Sequence, residues 1–424
     1  MKAIVFAAGK GVRLEPLTLN RPKHLIPVGG APLIEHTLRS IKSAGIEDVL
    51  MVVHYMKEAI ASHLGDGSCL GLSIEYLDQG GIFGTGDALK LGESFVGKGP
   101  FLVVYGDLAF HPRVLKEMVS SFKKGSSGMI AGVDLEDVKE YGVVETRGAL
   151  LKRILEKPQS GGAGTINGGI YVLTPEIFEL AAKTPKSSRG EVELTTTINM
   201  AIERGGTFDV YHIGSDEWAD VGRPWNVLEA NKVLLDAYLK ESRVDGPLEG
   251  NVHLHGNVYV EKGAQLLSGT YIEGPVWISS GCKVGPNSYL RSYTYLCKGV
   301  RVGNACEIKG SILMENSHVG HLSYIGDSVI GANCNLGAGT ITANLRFDEL
   351  PVKMSIRDEV VSSGRRKLGA FLGDDVKTGI NVSLFPGVKV GSGSWIGPHV
   401  PLSEDVPPQT LVTAKIEFRM SQRR

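Results

Sequence analysis

Apolar residues recur every six positions through the second half of the chain: Leu254, Val260, Leu266, Ile272, Ile278, Val284, Leu290, Leu296, Val302, Ile308 and Met314. The position four after each is small or short-branched, from Val258, Ala264 and Thr270 through Cys282, Cys306 and Ile312, until His318 breaks the row. This is the pattern of a hexapeptide solenoid, in which each hexad forms one face of a coil and stacked coils bury a continuous core. The beat slips by one residue near Val319–Gly320 and again near Ile330–Gly331. A polar, basic insertion at 345–367 interrupts it, and it resumes at Leu372, Thr378, Leu384, Val390 and Ile396. The insertion carries Arg346, Lys353, Arg357, Arg365, Arg366 and Lys367. Because the coils are committed to packing, an ejected loop is where function is expected.

The first half follows other rules. Short β-rich runs at Ala3–Ala7, Val49–His54 and Phe101–Tyr105 alternate with helical patterns such as Leu33–Ser43. Such alternation predicts an α/β domain, a parallel sheet covered by helices. Trp225–Glu241 has helical spacing and reads as a connecting helix. The expected organisation is therefore a Rossmann-like domain at 1–225, a helix and linker at 226–245, and a solenoid at 246–424.

Composition narrows the function classes. The 424 residues carry a net charge of −1 and 21% charged side chains, with no basic or acidic block to mark a nucleic-acid or membrane partner. No apolar stretch is long enough to span a bilayer. Residues 1–8 read as a first core strand, because Gly9, Lys10 and Gly11 end the apolar run too early for a signal peptide. The five cysteines form no CxxC pair, and Cys282 and Cys306 fall at small inward hexad positions. That usage suits a reducing cytoplasm.

After the first strand come Gly9-Lys10-Gly11-Val12-Arg13-Leu14 and then Arg21-Pro22-Lys23. Glycines let backbone amides approach a ligand and cradle phosphate oxygens. The third glycine of a dinucleotide fingerprint is missing. The stretch AAGKGVRLEPLTLNRPKHLIPV closely resembles that of the sugar-1-phosphate nucleotidylyltransferases, which join a nucleoside triphosphate to a sugar 1-phosphate and release pyrophosphate. The resemblance implies that Gly9 and Gly11 line the nucleotide and that Arg13 and Lys23 neutralise its phosphates, which suits a transfer dominated by charge stabilisation. It further implies base recognition by Gln79 with Gly84 and Thr85, a Mg2+ site at Asp107 and Asp220, and sugar-phosphate contacts from Gly142, Glu156, Lys157 and Asn167. Two carboxylates suit Mg2+, which keeps its other positions for water and substrate. Asp87, Leu108 and Arg223 depart from common family residues and bear on which base (UTP or dTTP) and which sugar are preferred.

The solenoid resembles the left-handed parallel β-helix of hexapeptide-repeat acyltransferases. Its GHLSYIGD and NLGAGTITAN stretches resemble the acetyltransferase half of bifunctional enzymes that acetylate glucosamine 1-phosphate and then uridylylate it, in their archaeal form. The resemblance implies acetyl-CoA as donor and His321 as the base that takes the amine proton, a role suited to a near-neutral pKa. It implies Arg291 and Lys309 on the sugar phosphate, Tyr324, Asn335 and Asn344 around the sugar, and Ala338 and Lys353 toward acetyl-CoA. It also implies a homotrimer or a multiple of trimers. Two alternatives stay open: a nucleotidylyltransferase whose β-helix only assembles subunits, and a non-catalytic regulatory subunit of the same architecture. Intact Arg291, Lys309, His321 and Asn335 weigh against the first, and intact Arg13, Lys23, Asp107 and Asp220 against the second.

Overall fold

The computed structural model describes residues 1–81, 84–158, 161–187, 190–357, 359–415, 417 and 419–422. The chain divides into two compact units: residues 1–10, 21–26 and 31–221, and residues 11–20, 27–30 and 222–424.

The first unit is built on a nine-stranded sheet. Its strand order is Ser73–Asp78, Asp48–Val53, Lys2–Ala7, Phe101–Tyr105, Gly164–Leu173, Gly128–Leu135, Phe208–Ile213, Leu150–Glu156 and Gly142–Arg147. The apolar run at Ala3–Ala7 is covered on both faces. Val5 packs with Ile34, Leu38 and Ile41 of the helix Leu33–Ser43. Ile4 points the opposite way, into a cluster with Phe101, Leu194 and Ile198. Alternation along the strand therefore feeds two cores, as a helix-covered sheet requires.

The expected all-parallel sheet is mixed instead. Lys2–Ala7 pairs in parallel with both Asp48–Val53 and Phe101–Tyr105, but Gly164–Leu173 runs antiparallel to Phe101–Tyr105 and Gly128–Leu135. Gly142–Arg147 and Leu150–Glu156 pair antiparallel. Only Gly148 and Ala149 separate them, and a parallel pairing needs a crossover of a dozen or more residues.

The second unit contains three eight-stranded parallel sheets, the three faces expected of a left-handed parallel β-helix. Leu254, Ile272, Leu290 and Ile308 stack directly in register, three hexads to a coil. The next coil is one residue shorter, pairing Leu296 with Leu313 and Ile308 with Ile325. The first slip thus lies between Ile308 and Leu313, one hexad before the expected Val319–Gly320. Leu313, not Met314, continues the inward row. Ser311 and Ser317, both fully buried, take the small positions assigned to Ile312 and His318. The Ser317 hydroxyl donates to Gly331 O at 2.5 Å. Sequence could not see this shift because Ile312, Leu313 and Met314 are all apolar, so either frame keeps the beat.

The insertion is tied off by a bridge between Leu345 and Lys367. Inside it, Lys353–Ile356 and Glu359–Ser362 form an antiparallel hairpin. Beyond it, Phe371–Leu372 pairs with Val329–Ile330 and the coils continue. A helix, Pro224–Tyr238, precedes the β-helix, with proline in its first turn where a missing N–H costs no bond. None of the five cysteines forms a disulfide; Cys282 and Cys306 are buried, as their hexad positions imply. Burial pushes the Cys282 thiol up to about 12, which makes it a packing residue rather than a nucleophile.

Candidate active sites

In the first unit, strand ends deliver two carboxylates from distant parts of the chain. Phe101–Tyr105 ends just before Asp107, and the short strand Leu108–Phe110 pairs antiparallel with Trp218–Asp220, placing Leu108 opposite Asp220. The Val221 amide donates to Asp107 O at 2.8 Å. Asp107 and Asp220 both line a cavity of about 210 Å³, together with Thr85, Gly142, Glu156 and Asn167. Six of the sequence-predicted residues therefore converge on one cavity.

Lys23 donates a hydrogen bond to Asp107. Burial alone would raise the Asp107 carboxyl, but the Lys23 charge and hydrogen bond outweigh it and hold that carboxyl below its ordinary value. Gly9 belongs to the same cluster: a Cβ there would come within 3.1 Å of the Lys23 ammonium. His24, beside them, is fully buried. Burial first, and then the Lys23 charge, push its imidazole down to about 3, so it is neutral.

The remaining predicted residues fall around or away from this cluster. Glu156 accepts from Thr195 Oγ1 at 2.7 Å. Asn167 Nδ2 donates to the Tyr171 hydroxyl at 2.6 Å, which donates to the Tyr105 hydroxyl at 3.1 Å. Burial pushes Tyr105 up to about 12, so this pair is a neutral scaffold. Gln79 Nε2 donates to Gly84 O at 3.2 Å, and Gln79 is not among the residues lining the cavity. Gly84 has φ +117° and a Cβ would stand 2.5 Å from Val192 O, so only glycine fits there. Lys157 is exposed, with φ +42°. Gly11 caps the turn Val12–Leu14 in a left-handed conformation, and Arg13 on that turn is exposed. Sequence reasoning missed Tyr141, whose hydroxyl donates to Asp220 Oδ1 at 2.7 Å. A lone tyrosine before Gly142 carries no spacing signal.

Mg2+ fits this donor set. Asp107 and Asp220 line one cavity, and no group of three or more His, Cys, Asp or Glu side chains forms a closed metal cage among the described residues. An ion that prefers few protein ligands and several oxygens from water and phosphate matches such a site.

A second cluster sits on one face of the β-helix. Arg291 donates to Glu307 at 2.9 Å. Lys309 donates to both carboxylate oxygens of Asp327, at 3.0 and 2.8 Å. Asn344 Nδ2 bonds Asp327 at 2.5 Å and the Tyr324 hydroxyl at 3.0 Å. Burial raises the Tyr324 phenol. Asp327 is the anchor of this group, and no role was read for it from sequence, although it closes the GHLSYIGD stretch. A cleft of about 420 Å³ opens beside the cluster, lined by Arg291, Lys309 and Asp327 among others. His321 stands exposed at the corner that follows strand His318–Val319, its carbonyl accepting from Gly339 N at 3.1 Å. Asn335 lies exposed on a different sheet, paired with His318 and Lys377. Ala338 is half-buried, and Lys353 is exposed on the hairpin. Neither they nor His321 line the cleft.

The family model for nucleotidyl transferases matches residues 2–237, and the model described as the GMPPB C-terminal domain matches residues 272–384. The first places the amino-terminal half in a class of enzymes that the fold and the paired carboxylates already indicate. The bifunctional protein GlmU of Methanococcus maripaludis is 42% identical over the whole length of both chains. The protein of that name from Methanocaldococcus jannaschii is also 42% identical, over 99% of this chain and 98% of its own. A bifunctional sugar-1-phosphate nucleotidylyltransferase/acetyltransferase of Sulfurisphaera tokodaii is 42% identical over 96% of this chain. Among solved structures, a putative glucose-1-phosphate thymidylyltransferase from Bacillus anthracis superposes with a TM-score of 0.51 at 28% identity, covering 57% of this chain and 98% of its own. The chain belongs to the bifunctional nucleotidylyltransferase/acetyltransferase family, and it is a transferase with two activities.

Proposed function

We propose that this enzyme acetylates a hexosamine 1-phosphate with acetyl-CoA and then joins the N-acetylated product to a nucleotidyl group from UTP or dTTP, releasing pyrophosphate. The observation that carries the reading is the pair of separate clusters, one in each unit, each matching one half of the chemistry. In the first, Lys23 meets the triphosphate and offsets the charge that develops on the attacked phosphorus. Asp107 and Asp220 would hold Mg2+, which when bound neutralises phosphate charge and fixes phosphate orientation. Lys23 holds the Asp107 carboxyl below its ordinary value, and the Tyr141 hydroxyl orients Asp220. Glu156 and Asn167 reach sugar hydroxyls, and Lys157 the sugar phosphate. Gln79 supplies an amide that can pair with a pyrimidine edge.

In the second cluster, Arg291 and Lys309 take the acceptor phosphate. Tyr324, Asn335 and Asn344 position the sugar, and His321 removes the proton from the attacking amine. Ala338 and Lys353 serve the acetyl-CoA side. Because Asn335 and Tyr324 stand on different sheets, we read the complete acetyl site as shared between coils of neighbouring subunits in a homotrimer or a multiple of one. No helix among the described residues is long and apolar enough to cross a membrane. A cytoplasmic enzyme acting on small molecules, without nucleic-acid or membrane partners, suits this surface.

The deciding experiment follows thiol release from acetyl-CoA with glucosamine 1-phosphate as acceptor, for wild type and His321→Ala together. Release that depends on His321 is the expected result. No release with glucosamine 1-phosphate or galactosamine 1-phosphate would reduce the β-helix to an assembly platform.

A further inference from the structure

The insertion leaves the β-helix just after Asn344 and returns just before Leu368, whose amide donates to Asn344 O at 2.9 Å. Its two ends are therefore fastened at the acetyl-side cluster. Of the insertion's basic residues, Arg346 pairs with Asp348 and Arg366 with Glu349, whereas Arg365 lines the cleft. The Arg365 main chain is fixed at two points: its carbonyl accepts from Val352 N at 2.8 Å and its amide donates to Ser363 Oγ at 3.2 Å. Its guanidinium donates to Glu229 on the helix Pro224–Tyr238 and remains about a quarter exposed.

The cleft gathers Arg291, Lys309 and Arg365, with Lys232 from the helix. Lys232 is turned toward Asp236, 3.1 Å away, and over the Tyr293 ring. Lys309 spends two bonds on Asp327. Arg365 differs because a guanidinium offers five N–H donors in a rigid plane. One is used on Glu229 and one more reaches Lys367 O at 3.5 Å, which leaves donors for a third partner. A planar fork beside two other cations is the arrangement that recognises phosphate.

We propose that Arg365 is a binding and specificity residue for the acceptor of acetyl transfer: with Arg291 and Lys309 it holds the acceptor's phosphate, and Glu229 keeps its guanidinium at the cleft before the acceptor arrives. The assignment rests on the acetyl-transfer reading given above. It makes the insertion a contributor to acceptor choice, selecting a phosphorylated amino sugar over the free one.

Calorimetric titration of the full-length protein with glucosamine 1-phosphate and with unphosphorylated glucosamine, for wild type, Arg365→Gln and Arg365→Lys, tests it without requiring turnover. The expected result is binding of glucosamine 1-phosphate weakened about tenfold in Arg365→Gln, or about 1.4 kcal/mol, and partly restored in Arg365→Lys. Glucosamine binding stays where it is in wild type. Retained nucleotidyl transfer in the same preparations verifies folding. A purely structural link to Glu229 would weaken both ligands alike, and that outcome overturns the proposal. So does unchanged binding of the phosphorylated sugar. If wild type shows thiol release and Arg365→Gln binds normally, the proposal fails and the activity stands. If Arg365-dependent binding appears without thiol release, the phosphate subsite stands and the acetyl-transfer reading fails.

Discussion

Asp327 is the carboxylate on which the acetyl-side cluster depends, so Asp327→Asn is the most informative single change. The residue is 6% exposed and has φ +50°, a conformation that asparagine tolerates, so the backbone need not move. The substitution removes the charge that accepts two hydrogen bonds from Lys309 and one from Asn344. Hydrogen bonds to a charged group contribute about 1.5–3 kcal/mol and neutral ones about 0.5–1.5. The exchange should therefore cost about 1–2 kcal/mol, because the amide oxygen of asparagine still accepts one neutral bond. The side chain of Lys309 is 22% exposed, and water recovers part of the loss, which keeps the figure below that for a fully buried pair. At about 2–4 °C per kcal/mol for a unit of roughly 200 residues, the β-helix transition should fall by about 2–8 °C. Scanning calorimetry of wild type, Asp327→Asn, Lys309→Met and the double variant measures the transition and the coupling together. The acetyl-transfer KM for glucosamine 1-phosphate should rise in Asp327→Asn, because Lys309 and Asn344 lose their shared anchor, while nucleotidyl transfer is unchanged. An unshifted transition, with coupling to Lys309 below about 0.5 kcal/mol, would refute the anchoring role.

The other predictions concern separability, pH and backbone. His321→Ala should abolish thiol release and spare pyrophosphate release, and Asp220→Ala should do the reverse; loss of both activities from either change in folded protein defeats the two-site assignment. His24 is held near 3 in the fold against about 6.5 when unfolded. Its contribution is therefore intact above pH 6.5 and is lost progressively as pH falls toward 3, at up to about 1.4 kcal/mol per pH unit. Urea unfolding at pH 7.5 and 5.5 should show a steeper acid loss in wild type than in His24→Gln, and equal slopes would disprove the buried neutral state. Gly84→Ala places a methyl group 2.5 Å from Val192 O at a strained φ, so it should raise the KM for the nucleoside triphosphate or impair folding. A variant with wild-type kinetics and stability would show that the turn has room to yield.

Much of this protein is written in local pattern. The six-residue beat specifies the β-helix because each inward position is satisfied by the coil above and below, a relation sequence spacing records directly. The helix Leu33–Ser43 and the strand Phe101–Tyr105 occur with the bounds their periodicity implies. Charged residues such as Lys23, Asp107, Asp220, Arg291 and Lys309 stood out because they sit in recognisable stretches. What the chain could not reveal locally was frame and partnership. Ile312, Leu313 and Met314 satisfy the beat in two frames, and only pairing with the previous coil selects Leu313. The antiparallel hairpin of Gly142–Arg147 and Leu150–Glu156 follows from a two-residue connection that a strand count ignores. Tyr141 holds Asp220 and Asp327 holds Lys309 through hydrogen bonds across 79 and 18 residues, respectively. Arg365 reaches the cleft only because Leu345 and Lys367 close the insertion on itself. Sequence determines such features only through tertiary structure, since an orienting bond is set by where two elements meet and leaves no period along the chain.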